Sequence, residues 1–192
     1  MGITITLAFI CVGLVYFFRA HVFEEDTLLQ KEFSMGSPFQ LIDQQGDKIT
    51  EKSFLGHPSA IFFGFTHCPE VCPSTLWKLS GMLDQLGKEA DAIKVYFITL
   101  DPNRDTPEVL KNFLSAFNER ITGITGISSK IDSFAKSWKI YWKRVDGSDE
   151  EYSFDHTASV LLLNSKSKFV GTIGWQENET VAIEKLRRLA KK

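Results

Sequence analysis

Two of the three cysteines in this chain of 192 residues lie four positions apart, in the stretch F-G-F-T-H-C-P-E-V-C-P over residues 63–73. The apolar, aromatic-rich run Ser59–Phe65 leads into this stretch and is typical of a buried strand. Pro73 suits the first turn of a helix, so we predict that a helix begins near Cys72 and that Cys68 lies in the loop before it. The free N–H groups of a helix N-terminus favour a thiolate, which predicts a lowered pKa for Cys72. Such a pair of ionisable thiols indicates either a redox pair or a site for a soft metal ion.

The composition is that of a globular protein with a full hydrophobic core. Apolar residues make up 43% of the chain and charged residues 24%. The net charge of −2 gives no basic surface that would indicate a nucleic-acid partner. Three cysteines are too few for a disulfide-stapled scaffold, so any cysteine chemistry should be confined to the one close pair.

The N-terminal residues predict a membrane anchor over 1–19 and a polar tether over 20–36. Ile3–Phe18 is almost wholly apolar, ends at an arginine and reaches the lower limit of length for spanning a bilayer. No small-x-small cleavage site follows, so we predict an uncleaved transmembrane helix in which Cys11 is one more apolar residue. No Arg-rich mitochondrial presequence precedes it, which favours a bacterial inner-membrane protein whose remaining domain, 37–192, faces the periplasm.

Strand and helix patterns alternate through the domain. After an N-terminal β-hairpin with a glycine turn at Gly46, the predicted strands are 59–65, 93–100, 158–163 and 169–173. The predicted helices run from Cys72 to Gly87, from Thr106-Pro107 to about Phe117, from a Ser128-Ser129 cap to about Trp138, and from Thr180 to Ala190. The segment 121–127 is ambiguous between strand and loop, and 141–154 is polar and turn-rich. The order predicts an α/β fold, a mixed sheet flanked by helices, and a cysteine pair at a strand-to-helix turn is the thioredoxin-like arrangement.

Three blocks of the sequence resemble the Sco/SenC family. They are F-G-F-T-H-C-P-E-V-C-P at 63–73, I-T-L-D-P-N-R-D-T-P at 98–107 and D-H-T-A-S at 155–159, in the family's order and spacing. Members of that family are membrane-anchored, thioredoxin-like copper proteins that assist the assembly of cytochrome c oxidase. The resemblance covers the domain from about residue 34 to the end and includes the anchor.

The resemblance implies that Cys68, Cys72 and His156 are the ligands of a copper ion. Ligand chemistry is consistent with this, because two thiolates and an imidazole form a soft set that suits copper(I) and can also hold copper(II). Zinc would normally add a fourth protein ligand or a water. The three residues between the cysteines differ from the two of a thioredoxin-type redox pair, although this spacing does not forbid a disulfide.

The other histidines are weaker candidates for ligands. His67 adjoins Cys68, but neighbouring side chains of an extended segment point apart, so we predict that it is not a ligand. His57, in a Gly-His-Pro loop, and His21, beside the predicted anchor, have no evident partners and are interpreted as structural.

Three aspartates near the motif blocks admit structural interpretations. Asp105 with Glu108 fits an N-terminal capping box for the helix opened by a proline, rather than a catalytic carboxylate. Asp101 ends a strand and could orient either the cysteine loop or a partner. Asp155, next to His156, could accept a hydrogen bond behind a ligand or be simply exposed.

Two classes of function remain open. In the first, the protein is a copper metallochaperone, not an enzyme, that passes copper to the binuclear copper centre of an oxidase subunit. In the second, it is a membrane-anchored thiol-disulfide oxidoreductase whose Cys68/Cys72 pair reduces the cysteines of that subunit. His156 discriminates between them, because an oxidoreductase does not need it, and a peroxiredoxin-like role fits less well since it would not require the later D-H-T block. Expected partners are the copper-bearing oxidase subunit and other copper chaperones or thioredoxin-like reductants.

Overall fold

A computed structural model of the protein describes residues 38–147 and 151–192. The predicted anchor over 1–19, with Cys11, the whole of the predicted tether over 20–36 and its boundary with the domain lie outside these ranges. Within the two described ranges, none of the helices combines the length and the apolar character that crossing a membrane requires.

The main sheet has seven strands in the order β2-β1-β5-β4-β3-β8-β9. Their bounds are β1 Gln40–Asp43, β2 Lys48–Thr50, β3 Ser59–Gly64, β4 Lys94–Thr99, β5 Ile121–Thr125, β8 Val160–Leu163 and β9 Phe169–Ile173. The three central strands β3, β4 and β5 are parallel, and the outer pairs are antiparallel. The sheet is therefore mixed, as predicted, and the ambiguous segment 121–127 contributes its parallel strand β5.

Helices cover both faces of this sheet. They are α1 Val71–Leu86, α2 Pro107–Leu114, α3 Ser128–Ser137 and α4 Glu179–Leu189, with short 3-10 helices at Glu51–Phe54 and Gly87–Ala92. Successive residues of β3 enter different cores, since Phe62 packs with α1, α2 and α4 and Phe63 packs with α3. A strand buried on both faces must be apolar throughout, which explains the continuous apolar run of β3.

The helices begin close to the residues that the sequence predicted, but two of the predicted N-terminal capping residues are not the ones observed. Proline does open α2, but its cap is Thr106, whose hydroxyl accepts the N–H of Val109 at 3.3 Å, so the predicted Asp105–Glu108 capping box is wrong. The predicted serine cap of α3 is also wrong. Ser128 is the first helical residue and its hydroxyl contacts the side chain of Asn103 at 2.9 Å.

The segment 141–154 is more regular than its polar composition indicates. It forms most of a second, two-stranded antiparallel sheet made of β6 Trp142–Asp146 and β7 Tyr152–His156. The strands pair from Trp142 opposite His156 to Asp146 opposite Tyr152. This hairpin matters for function because its last residue, His156, is one of the predicted ligands.

Candidate metal centre

The two thiols lie at the junction of β3 and α1. The loop Phe65–Glu70 joins them and carries Cys68, which is partly exposed, while Cys72 is the second residue of α1 and is fully buried. The backbone N–H of Cys72 contacts the Cys68 sulfur at 3.4 Å. The helix begins where Pro73 predicted it, and its free N-terminal N–H groups therefore face the sulfur of the preceding loop.

His156 reaches the thiols from the end of β7. Its Nε2 lies 3.6 Å from the Cys72 Sγ, and its Nδ1 lies 3.0 Å from the carbonyl oxygen of Thr157. A carbonyl can only accept a hydrogen bond, so the proton belongs on Nδ1 and the lone pair of Nε2 is left facing the sulfur. The ring also packs against the edge of Phe65 at 5.8 Å and 78°.

The structure thus brings together the three residues that the resemblance implies. The two sulfurs and one imidazole nitrogen all lie within 4.8 Å of one another. Two sulfurs and a nitrogen with its lone pair directed inward fit copper(I) better than a hard cation, which would require oxygen ligands. That these residues bind a metal stays a prediction.

The pKa values of the two thiols are shifted in opposite directions. A hydrogen bond from the Cys72 thiol lowers the pKa of Cys68 to about 4, despite partial burial, and a hydrogen bond from the Cys72 N–H also lowers it. The pKa of Cys72 is raised by its hydrogen bond to Cys68, by burial and by the charge on Cys68. The predicted lowering at Cys72 is therefore wrong, because burial beside a second thiolate outweighs its place at the helix N-terminus.

Asp105 holds the loop that carries Cys68. It is fully buried, and its carboxylate accepts the N–H and the hydroxyl of Thr66 at 3.0 and 2.6 Å and the hydroxyl of Thr99 at 2.6 Å. Burial raises its pKa more than these hydrogen bonds lower it. Asp105 is thus neither a helix cap nor a member of the ligand cluster, but it fixes the chain two residues before Cys68.

Asp101 contacts the hairpin rather than the cysteine loop. Its side chain, 2% exposed, forms an ion pair with Arg104 and accepts the hydroxyl of Tyr152 at 2.8 Å. Tyr152 lies in β7, four residues before His156. The sequence left open whether Asp101 orients the cysteine loop or a partner. Within the described residues, its side chain forms no hydrogen bond to the cysteine loop.

The remaining candidates lie outside the ligand cluster. His67 has a largely exposed side chain, and its Nδ1 contacts the hydroxyl of Thr66 at 3.0 Å. His57 contacts the hydroxyl of Ser59 at 3.3 Å, in keeping with a structural role. Asp155 is exposed, and His21 lies outside the described residues.

Sequence reasoning did not single out Thr66, Arg104, Tyr152 or Thr157. Three of them stand inside the motif blocks or next to a predicted ligand, which was a usable signal. Tyr152 follows an acidic run and gave none, apart from its alternation with Phe154 and His156, which is the period of a strand.

The fold and the site together define a thioredoxin-like protein with a candidate soft-metal centre at one end of its sheet. The SCO1/SenC family model matches residues 28–191. The chain therefore belongs to the SCO1/SenC family, as the motif blocks predicted.

Solved structures and curated relatives agree with this assignment. The structure of Bradyrhizobium japonicum ScoI with copper bound is 40% identical, with a TM-score of 0.76, covering 81% of this chain and 99% of that one. Yeast Sco1 with copper bound is 34% identical, with a TM-score of 0.75, covering 83% and 90%. Among curated relatives, the mitochondrial SCO1 homolog 1 of Arabidopsis thaliana is 32% identical over 84% of this chain, which spans 52% of that protein's length.

Proposed function

We propose that the protein takes up one copper ion through Cys68, Cys72 and His156 and passes it to the binuclear copper centre of a cytochrome c oxidase subunit. The observation that carries this proposal is the convergence of two sulfurs and the inward-facing Nε2 within 4.8 Å. Copper bound in the structures of two relatives supports the choice of metal. The family resemblance supports the role in oxidase assembly.

The arrangement of the three ligands suits an ion that must later leave. Cys68 is partly exposed, so an acceptor thiol or imidazole could approach its sulfur directly. His156 belongs to a hairpin that is not hydrogen-bonded into the main sheet, so its nitrogen can be withdrawn without breaking that sheet. A soft, three-ligand site leaves coordination positions for an incoming ligand.

The location and the partners are part of the same proposal. The apolar segment 3–18 supports a single-pass anchor in a bacterial inner membrane, with the metal centre in the periplasm. There the copper-bearing oxidase subunit would receive the ion, and other copper chaperones or thioredoxin-like reductants would supply copper and electrons.

Copper binding by the reduced full-length chain in detergent tests the proposal. We expect one copper(I) per chain, with retention lost or strongly weakened in His156→Ala and unchanged in His67→Ala. His67→Ala is the matched control, because it removes an imidazole next to Cys68 that lies outside the ligand cluster. Weak binding that is indifferent to His156 would contradict a three-ligand site.

A second function is favoured by the difference between the two thiols. Cys68 is partly exposed and has a pKa of about 4, while Cys72 is buried with a raised pKa. This division resembles that between an attacking thiolate and a resolving thiol in a thiol-disulfide oxidoreductase. If reduction of a target disulfide is the task, its rate should survive in His156→Ala, whereas copper delivery should not.

A further inference from the structure

The position of His156 depends on how the β6–β7 hairpin is attached to the rest of the domain. Hydrogen bonds of the hairpin run between its own two strands, from Trp142 opposite His156 to Asp146 opposite Tyr152, and it is not part of the seven-stranded sheet. Strand pairing alone therefore does not fix the distance from the His156 Nε2 to the sulfurs. Side-chain contacts between the hairpin and the domain must do so.

Trp142 of β6 packs against the core that contains Phe63, and one face of β7 makes further contacts. Side chains alternate along a strand, so Tyr152, Phe154 and His156 share a face. Phe154 packs edge-to-face on Phe65 at 5.4 Å and 72°, and His156 lies against Cys72. Tyr152 makes the attachment farthest from the metal centre.

The attachment of Tyr152 is polar and stacked at once. Its hydroxyl donates to the buried carboxylate of Asp101 at 2.8 Å. The guanidinium groups of Arg104 and Arg144 lie 3.6 and 3.9 Å from its ring centroid, and two such groups cannot share one ring face, so the ring lies between them. Burial and the neighbouring Asp101 raise the pKa of Tyr152, so the hydroxyl keeps its proton and remains a donor.

Arg104 and Asp101 are themselves fixed by the domain. They form an ion pair across one turn of the segment that follows β4, and the backbone N–H of Arg104 also bonds to the carbonyl of Asp101 at 3.2 Å. The Nη2 of Arg104 is buried without a hydrogen-bond partner in the described residues, so its stacking on Tyr152 is a main contact of that part of the group. The Asp101–Arg104 ion pair thereby attaches the distal end of the hairpin to the domain.

We propose that Tyr152 is a positioning residue of the metal centre: its hydrogen bond to Asp101 and its stacking on Arg104 hold the hairpin where the Nε2 of His156 reaches the Cys72 sulfur. The proposal rests on the proposed function in that the bound ion is copper. Removing the hydroxyl loosens the distal end of the hairpin and leaves the ring stacking, Phe154 and Trp142 to hold it. Tyr152 does not contact a ligand directly, so we expect affinity to fall by about tenfold, the order of effect of removing one hydrogen bond to a charged group.

The test compares Tyr152→Phe with Tyr141→Phe in the reduced full-length chain. Tyr141 is exposed just before β6, and the contacts found for it come from its backbone. Its variant therefore makes the same chemical change without altering the contacts of Tyr152 with Asp101 and Arg104. Copper(I) affinity, measured by competition with a chromophoric chelator, should fall about tenfold in Tyr152→Phe and stay unchanged in Tyr141→Phe. The copper(II) absorption bands should shift in the first variant alone, since the nitrogen ligand is displaced.

A second background separates positioning from general stability. In His156→Ala, the further change Tyr152→Phe should cause no additional loss of affinity; an equal loss with and without His156 overturns the proposal. Asp101→Asn, which keeps an oxygen for the Tyr152 hydroxyl, should retain more affinity than Asp101→Ala. In the metal-free chain, the ring 15N chemical shifts of His156 should change in Tyr152→Phe and not in Tyr141→Phe. If neither the 15N shifts nor the affinity changed in Tyr152→Phe, the proposal would be overturned. If the wild-type chain bound no copper but the His156 15N shifts still changed in Tyr152→Phe, only the proposed function would be contradicted.

Discussion

The hydroxyl of Thr66 donates a 2.6 Å hydrogen bond to the carboxylate of Asp105, and the N–H of the same threonine bonds to its other oxygen at 3.0 Å. These two hydrogen bonds join the loop before Cys68 to the segment that follows β4. Since β3 and β4 are parallel neighbours, their carboxyl ends meet at one edge of the sheet. A buried aspartate from one strand end therefore sets the path of the metal-binding loop from the other.

The buried Asp105 should give stability a recognisable dependence on pH. Burial raises its pKa above the ordinary value of 3.8, so the folded protein binds this proton more tightly than the unfolded chain does. The stabilising contribution is complete below pH 3.8 and is lost as pH rises through the folded pKa. We expect the free energy of unfolding of the wild type, minus that of Asp105→Asn, to decrease as pH rises above this value in urea titrations. A difference that grows with pH would contradict the raised pKa.

The reactivity of Cys68 should be nearly independent of pH above about 5. Its pKa is lowered to about 4 from 9.0, so the nucleophilic thiolate is present until pH falls through about 4. Iodoacetamide alkylation of the metal-free, reduced chain, with the labelled cysteine identified by mass spectrometry, measures this. Cys72→Ala is the informative control, since the first cause of the lowering is the hydrogen bond from the Cys72 thiol and alanine has no donor; its alkylation midpoint should move to higher pH. Alkylation of wild-type Cys68 with a midpoint near pH 9 would show that the thiolate is not stabilised.

The strands and helices were predictable because their signals are local. The continuous apolar run of β3 and the Pro73 helix start both follow from short-range rules, and the two motif blocks that supplied Cys68, Cys72 and His156 carried the candidate site. The mixed sheet flanked by helices followed from their order along the chain.

The wrong predictions concern residues whose contacts or pKa values depend on residues far away in the sequence. Asp105 stands one residue before a cap position, so sequence offers it as a helix cap, but its partners Thr66 and Thr99 come from two strand ends. The lowered pKa was placed on Cys72 because the helix N-terminus is visible in the sequence, whereas burial and the geometry of the thiol pair are not. The hairpin partner Tyr152 was missed because polar residues outnumber apolar ones in a two-stranded sheet exposed to solvent.

Oxidation of the cysteine pair should abolish copper(I) loading. Both thiols are free in the structure and lie together within the ligand cluster. When they form a disulfide, the Cys68 thiolate and the Cys72 thiol lose two electrons to the oxidant and the Cys72 thiol loses its proton, and both sulfur donors are removed. We expect the chain treated with a mild thiol oxidant to bind no copper(I), and loading to return after a dithiol reductant. Copper(I) bound as tightly by the oxidised chain as by the reduced one would refute this redox control.

Two glycines on either side of the Cys72 helix start should respond in opposite ways to alanine. A Cβ at Gly64 would lie 2.6 Å from the Cys72 Sγ and 2.8 Å from the ring of Phe97, so Gly64→Ala must displace the sulfur. We expect a loss of about 1–3 kcal/mol in the free energy of unfolding, together with weaker copper(I) retention. A Cβ at Gly81, inside α1, would meet no atom of another described element within 4 Å, so Gly81→Ala should add about 0.5–1 kcal/mol to the free energy of unfolding and leave copper binding unchanged. Urea unfolding and chelator competition measure both quantities, and equal copper retention by the two variants would mean that the Cys72 sulfur is not held against Gly64.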